Sequence, residues 1–209
     1  MGEPTGFIHR FEPATALGLS PLLLLHGTGG DENDLLPLGR AVLPGAALLS
    51  PRGRVLEGSM PRFFRRLSEG VFDEADLTRR THELADFIAE ARTRYGLPAP
   101  MALGFSNGAN IAAALLLLRP EALAGAVLLR AMAPFAKAPE ARLSGKPVLL
   151  LSGRLDPIIP ADNAAGLAAT LERAGADVEH HVLPAGHGLS QADIGLVEKW
   201  LQGRRVQAA

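Results

Sequence analysis

Short apolar runs alternate along this chain with longer segments of helical periodicity. Six segments are strand candidates, at 21–26, 46–50, 101–105, 124–129, 147–152 and 178–183, and a weaker one lies at 7–12. Most of them are continuous apolar runs. Continuous runs of Leu, Val and Ala are typical of strands covered on both faces. The segments between them predict helices at 33–42, 76–95, 107–118, 162–174 and 191–201. This alternation predicts an α/β fold: a mostly parallel sheet of about seven strands with helices on both faces.

Length and composition exclude several classes of protein. The chain has 209 residues, which favours a single domain over 1–209. It has no cysteine, so disulfide scaffolds, thiolate metal sites and cysteine nucleophiles are excluded. The net charge of −1 argues against nucleic-acid binding. The longest apolar run, 111–118, is far shorter than the roughly 20 residues of a membrane span. No signal-peptide pattern is recognisable, so we expect a cytoplasmic protein without membrane insertion.

The motif Gly104-Phe105-Ser106-Asn107-Gly108 lies where a predicted strand gives way to a predicted helix. A serine on such a tight turn projects its Oγ away from the sheet at a helix N-terminus, where it can act as a nucleophile. We expect glycine at 104 and 108 because side chains there would collide with the neighbouring strand and helix. The alternative, a small residue at an ordinary strand–helix turn, is disfavoured by this placement.

Two further candidates follow later predicted strands. Asp156 comes after the fifth strong strand candidate, and His187 follows the sixth, between two glycines that let its loop approach another loop closely. A carboxylate at such a position can orient a histidine and stabilise the imidazolium formed during proton transfer. Taken alone, an Asp before Pro157 is a common way to start a turn. Asp162 is a competing carboxylate, which we expect instead to cap the following helix.

The three candidates have the chain order of α/β-hydrolase triads: serine, acid, histidine. The carboxyl ends of parallel strands meet at one edge of the sheet, where ligands of such folds bind. We therefore predict that Ser106, Asp156 and His187 converge as nucleophile, acid and base. The alternative from another class, a non-catalytic small-molecule binding module, would be indicated by a broken triad, and all three members are present.

A glycine-rich loop, His26-Gly27-Thr28-Gly29-Gly30, follows the first strong strand candidate. Its small residues allow backbone N–H groups to point at a substrate oxygen, so Thr28 N–H and Asn107 N–H are predicted to form an oxyanion hole. We expect His26 to brace this loop by hydrogen bonding. A phosphate-binding loop is disfavoured, because the dinucleotide motif needs glycine where Glu32 stands and the Gly-Lys-Ser/Thr of a P-loop is missing.

Three longer segments read LLHGTGGDENDLL at 24–36, SPRGRVLEGSMPRFFRRLSEGVFDEADL at 50–77 and GFSNGANIA at 104–112. In these segments the chain resembles the phospholipase/carboxylesterase family of α/β-hydrolases, within the dienelactone-hydrolase-like group and especially its MhqD-like branch. The resemblance implies a serine carboxylesterase with no large cap domain and with neither a metal nor an organic cofactor. By position it assigns Ser106 as nucleophile, Asp156 as acid, His187 as base, and Thr28 and Asn107 as oxyanion donors. Many relatives have Gln where this chain has Asn107, a change that a backbone donor should tolerate.

Aromatic residues and arginines are interleaved in the polar, Gly-rich segment 52–72, which is not a regular core element. The candidates for the substrate pocket are Phe63, Phe64 and Phe72 from this segment, and Met132 and Phe135 after another strand end. The alternative is that these side chains pack onto the sheet. Arg65 or Arg66 could attract an anionic substrate, although a solvated basic face is the favoured interpretation.

Together these patterns predict a serine carboxylesterase that hydrolyses small esters through an acyl-enzyme, with short acyl chains preferred. A thioesterase or an acyltransferase would use the same residues, and the sequence does not separate these by leaving group. A homodimer, formed through an exposed helix or through residues 52–72, stays open.

Overall fold

A seven-stranded sheet lies at the centre of the computed structural model, which describes residues 6–204. The strands of the described chain are β1 (His9–Glu12), β2 (Leu22–Leu25), β3 (Leu48–Pro51), β4 (Val55–Glu57), β5 (Met60–Arg62), β6 (Arg66–Ser68), β7 (Val71–Phe72), β8 (Met101–Phe105), β9 (Gly125–Leu129), β10 (Pro147–Gly153) and β11 (Asp177–Leu183). The central sheet has the order β1-β3-β2-β8-β9-β10-β11. Only β1 runs antiparallel to its neighbour in this sheet. The predicted, mostly parallel sheet is therefore confirmed.

Helices cover both faces of this sheet. They are α1 (Leu36–Val42), α2 (Glu74–Tyr95), α3 (Asn107–Leu118), α4 (Ala161–Arg173) and α5 (Gln191–Gln202), with a short 3-10 helix at Pro120–Ala122. Helices α2, α3 and α4 pack on one face, while α1 and α5 pack on the other. Among residues 6–204, no helix combines the length and the apolar character needed to cross a bilayer.

The buried strands explain the continuous apolar runs. In β2, Leu23 and Leu25 contact the core under α2 and α3, whereas Leu22 and Leu24 contact the core under α1 and α5. Successive side chains of a strand point to opposite faces, so a strand that is covered twice needs an apolar residue at every position. All four leucines of β2 are buried.

Helix ends follow local capping chemistry. Helix α2 begins after Asp73, whose side chain accepts a hydrogen bond from the Asp76 N–H. It ends at Tyr95, as predicted, and Gly96 is its C-cap with φ +65°. Helix α1 begins at Leu36, three residues later than predicted. The Asp31 side chain accepts the Asn33 N–H and holds the preceding residues in a turn.

Segment 52–72, predicted not to be a regular core element, contains two small hairpins, β4–β5 and β6–β7, outside the central sheet. Their strands have only two or three residues, too few to show a period-two pattern. The segment also contributes Phe63 and Phe64 to the core. It lies next to the carboxyl edge of the sheet, because the Gly29 N–H in the loop after β2 donates to the Pro61 carbonyl oxygen at 2.9 Å.

Candidate active site

Ser106 occupies a strained turn between β8 and α3. Its backbone has φ +52° and ψ −114°, a conformation that costs a non-glycine residue about 1–3 kcal/mol. The turn packs tightly: a Cβ at Gly104 would lie 2.6 Å from the Gly108 carbonyl oxygen, and one at Gly108 would lie 1.9 Å from the Leu25 carbonyl oxygen. The expected need for both glycines is confirmed.

The side chains of Ser106, His187 and Asp156 form a continuous hydrogen-bonded chain. His187 Nε2 lies 3.0 Å from Ser106 Oγ, and His187 Nδ1 lies 2.8 Å from Asp156 Oδ2. The other carboxylate oxygen, Oδ1, accepts the N–H groups of Ile158 and Ile159. Asp156 therefore forms the turn that its place before Pro157 suggested, and the same turn aims Oδ2 at the imidazole. The Asp156 side chain is 1% exposed.

The competing carboxylate, Asp162, and a second pair of neighbouring serine and histidine side chains lie elsewhere. Asp162 is exposed and lies in the first turn of α4, while Pro160 is the N-cap, so the prediction that Asp162 caps this helix is wrong. Its carboxylate instead accepts the N–H of Asn163. Ser152 Oγ lies 2.7 Å from His180 Nε2, but Ser152 is buried within β10 rather than presented on a turn.

Arg130, which we did not predict as a site residue, holds the loop that carries His187. Its guanidinium donates to the carbonyl oxygens of Gly186 at 2.9 Å and Gly188 at 3.3 Å, on either side of the histidine. The same group makes two hydrogen bonds to Asp193 at the start of α5, at 2.8 and 2.9 Å. Burial raises the pKa of Asp193, but hydrogen bonds from Arg130 and Ser190 outweigh burial and keep this pKa below its ordinary value.

The close approach of the His187 loop depends on Gly153 rather than on the glycines beside His187. A Cβ at Gly153 would lie 2.4 Å from the Ala185 carbonyl oxygen, whereas one at Gly186 would meet nothing nearer than 3.8 Å and one at Gly188 nothing within 4 Å. The expectation that the flanking glycines serve this approach is therefore wrong.

Thr28 and Asn107 present unused backbone donors near Ser106. Within residues 6–204, neither N–H donates a hydrogen bond to a protein acceptor, and both residues line the cavity that contains Ser106. Their loop is braced by His26. The Gly53 N–H donates to His26 Nε2 at 2.9 Å, so Nδ1 carries the proton and donates to the Gly27 carbonyl oxygen at 2.7 Å. Burial lowers the pKa of His26, which favours this neutral form.

Three consecutive residues at the end of β5 contact both the loop that carries Thr28 and the side chain of Asn107. The Pro61 carbonyl oxygen accepts the Gly29 N–H. Arg62 Nη1 donates to Thr28 Oγ1 at 2.6 Å, and the Phe63 N–H donates to Asn107 Oδ1 at 2.8 Å. The first hairpin therefore sets the separation between residues 28 and 107.

A cavity of about 280 Å³ opens beside Ser106 and His187. Of the predicted pocket residues, Phe72 and Met132 line it. Phe63 and Phe64 do not line it: both rings are buried, Phe63 against His26 and Phe64 edge-on against Phe72. Their prediction as pocket residues is corrected, because these two side chains pack into the core.

Phe135 and Arg65 also lie outside this cavity. Phe135 lines a separate groove between residues 133–142 and α4. The exposed Arg65 pairs with Asp73, as expected of a solvated basic face. Arg66 does line the cavity, and its guanidinium also pairs with Glu57.

Comparisons with known proteins agree with this architecture. The profile of the Phospholipase/Carboxylesterase family matches residues 19–204. The chain is 44% identical to MhqD of Bacillus subtilis (strain 168), named as a hydrolase, over 92% of this chain and 96% of that protein. It is similar in structure to the Bacillus cereus carboxylesterase, with a TM-score of 0.92, 44% identity and coverage of 95% and 94% of the two chains. A carboxylesterase from Mesorhizobium loti gives a TM-score of 0.89 at 35% identity, covering 94% of this chain and 95% of that one. The fold is the α/β-hydrolase fold without a large cap, and the chain belongs to the phospholipase/carboxylesterase family.

Proposed function

We propose that this protein is a serine carboxylesterase that hydrolyses small carboxylic esters through an acyl-enzyme on Ser106. The observation that carries the proposal is the hydrogen-bonded chain from Ser106 Oγ through His187 to Asp156, which ends in a cavity. Nucleophile, base and orienting acid are each within hydrogen-bonding distance of the next, as such chemistry requires.

In the first half of the reaction, His187 Nε2 accepts the proton of Ser106 Oγ as this oxygen attacks the ester carbonyl carbon. Asp156 holds the Nδ1–H tautomer and stabilises the imidazolium that forms. The N–H groups of Thr28 and Asn107 receive the oxyanion, and one donor of this kind contributes about 3–4 kcal/mol to the transition state. Collapse of the tetrahedral intermediate expels the alcohol, which takes the proton from His187.

In the second half, water enters the space that the alcohol has left. His187 accepts a proton from this water as its oxygen attacks the acyl carbonyl carbon, and the same two N–H groups receive the second oxyanion. Collapse breaks the bond to Ser106 Oγ, which recovers its proton from His187, and the carboxylic acid is released.

The cavity favours small substrates. Its volume of about 280 Å³ lies at the lower end of ligand pockets, and apolar side chains such as Phe72, Met132 and Ile159 form part of its wall. We expect kcat/KM to be highest for short acyl chains. A steady rise from acetate to long-chain p-nitrophenyl esters would contradict this expectation.

The test combines labelling with turnover. A fluorophosphonate probe should modify the purified protein once, and peptide mapping should locate the adduct at Ser106. Ser106→Ala should abolish both labelling and ester hydrolysis while leaving the circular dichroism spectrum unchanged. A matched panel of esters and thioesters then reports the preferred leaving group. Unchanged turnover by a contaminant-free Ser106→Ala sample would overturn the proposal.

A further inference from the structure

Two buried polar side chains that line the cavity beside Ser106 each have a hydrogen-bond donor with no acceptor among the described residues. Asn110, 5% exposed, accepts the Met132 N–H at its Oδ1, which fixes the amide, and its Nδ2 has no acceptor among the described residues. Arg62, 3% exposed, donates through Nε to the Phe64 carbonyl oxygen and through Nη1 to Thr28, but its Nη2 donates no hydrogen bond within residues 6–204. Both side chains line the cavity, and neither nitrogen is among the fully buried side-chain atoms that lack a partner within residues 6–204.

The positive charge of Arg62 is only partly balanced. Its nearest carboxylate, that of Glu57, lies 3.4 Å from Nε and makes its shorter contacts, of 2.6 to 3.1 Å, with Arg66. Burial lowers the pKa of Arg62, and the neighbouring Arg66 lowers it further, against a smaller opposing effect of Glu57. One carboxylate therefore serves two guanidinium groups at the cavity wall. Among the described residues that line the cavity the one acid is Glu69, which is exposed, so solvent screens its charge.

We propose that this cavity selects esters that carry a carboxylate group, which Arg62 receives through Nη2, with Asn110 and Arg66 as further donors. This inference rests on the proposed esterase function and names its substrate class. A carboxylate is the group that best completes the arrangement, because a guanidinium binds it with matched planar geometry and an accompanying amide donates to the same kind of oxygen. In a cavity of this size, the carboxylate must lie within a few bonds of the scissile carbonyl.

The experiment compares anionic esters with neutral esters of the same shape. In the first pair the variable group is on the acyl side: monoethyl succinate carries a carboxylate, and ethyl 4-methylpentanoate carries an isopropyl group in its place. O-acetylglycolate and isobutyl acetate place the same two groups on the alcohol side. Hydrolysis of all four is followed by proton release at constant pH, and the ratio of kcat/KM, anionic over neutral, is determined for each pair.

We expect Arg62→Met to lower this ratio, in at least one pair, by roughly tenfold to a hundredfold, the range of a hydrogen bond to a charged group. Arg65→Met is the matched control, because Arg65 is exposed, pairs with Asp73 and lies outside the cavity, so the ratio should stay at its wild-type value. A fall in kcat/KM for all four esters with both ratios unchanged would overturn the proposal, since Arg62 would then act only by positioning Thr28.

A second variant keeps the proposal testable if Arg62→Met does not fold. Asn110→Asp places a like charge beside the substrate carboxylate and should lower the ratio by tenfold or more. An unchanged ratio in folded Asn110→Asp would contradict an anionic substrate. Failure of the esterase function itself is distinguishable, because the wild-type protein would then hydrolyse neither ester of a pair and would not react with the fluorophosphonate.

Discussion

Replacement of Arg130 by methionine tests whether the histidine of the proposed triad depends on a buried ion pair. The side chains of Arg130 and Asp193 are 0% and 1% exposed, so Arg130→Met leaves a carboxylate buried without its cation. Removing one member of such a pair costs about 3–5 kcal/mol of unfolding free energy. The substitution also frees the carbonyl oxygens of Gly186 and Gly188 beside His187. A displacement of about 1 Å at the imidazole would lower kcat by about a hundredfold.

The two effects of Arg130→Met are separated by a double variant. In Arg130→Met/Asp193→Leu no buried charge is left alone, so urea denaturation followed by circular dichroism should show most of the lost stability restored. The value of kcat for a neutral ester such as ethyl butyrate should stay low, because the two carbonyl oxygens of the His187 loop still lack their donor. If kcat returns together with stability, Arg130 contributes only to folding and the reasoning about His187 is refuted.

The pH dependence of stability provides an independent check on the same pair. In the wild type the pKa of Asp193 lies below its ordinary value of 3.8, so its stabilising contribution is present above that pH and is lost as the pH falls through the folded-state pKa. In Arg130→Met the buried Asp193 carboxylate has lost its counterion, so burial raises its pKa above that of the unfolded chain. The stability deficit of the variant should therefore shrink between about pH 7 and about pH 4. A deficit that is constant with pH would contradict a charged Asp193.

Three further comparisons, each between a pair of substitutions, test the site and its scaffold. Asp156→Asn should lower kcat by about 10⁴-fold while exposed Asp162→Asn leaves it near the wild-type value, and a larger loss in the second variant would reassign the acid. Ser106→Gly should have a free energy of unfolding about 1 kcal/mol higher than that of Ser106→Ala in urea denaturation, because glycine relieves the strain of φ +52°. Gly108→Ala should yield no soluble protein, since its Cβ would overlap the Leu25 carbonyl oxygen, whereas Gly195→Ala, in open space on α5, should raise stability by up to about 1 kcal/mol.

The central sheet and the meeting of Ser106, Asp156 and His187 followed from local signals. A doubly covered parallel strand needs an unbroken apolar run, and such runs stand out in this sequence at β2, β8, β9 and β10. Because the strands are parallel, residues that follow their carboxyl ends lie at one edge of the sheet whatever the details of packing, and this includes His187 after the partly exposed β11. The prediction that these three side chains approach one another therefore required only the positions of the strands along the chain, and no side-chain geometry.

The contacts of the supporting residues could not be predicted because their partners are distant in sequence. The contact of Arg130 with Asp193 spans 63 positions, and that of Arg62 with Thr28 spans 34. A usable signal existed for Arg130, since an arginine directly after a fully apolar strand enters a buried position and needs a buried acid. No such signal marked Phe63 and Phe64: an aromatic residue in a polar segment fits a core and a pocket equally well, and long-range packing decides between them.

Backbone strain at the site lies along one edge of the sheet and is stabilised there by hydrogen bonds between strand ends. Among the described residues, Ser106, Arg130 and Ser144 are the only non-glycine residues with positive φ, and the first two directly follow the adjacent strands β8 and β9. The Ser106 N–H donates to the Leu129 carbonyl oxygen, and the Arg130 N–H donates to the Leu151 carbonyl oxygen of β10. Ser106 and Arg130 are thus each held by a backbone hydrogen bond to the next strand. The Arg130 side chain in turn holds the His187 loop by its hydrogen bond to the Gly186 carbonyl oxygen. Strain of about 1–3 kcal/mol per residue persists where the surroundings determine the conformation. The positions of the proposed nucleophile, Ser106, and of its base, His187, therefore depend on the register of the same parallel strands, β8, β9 and β10.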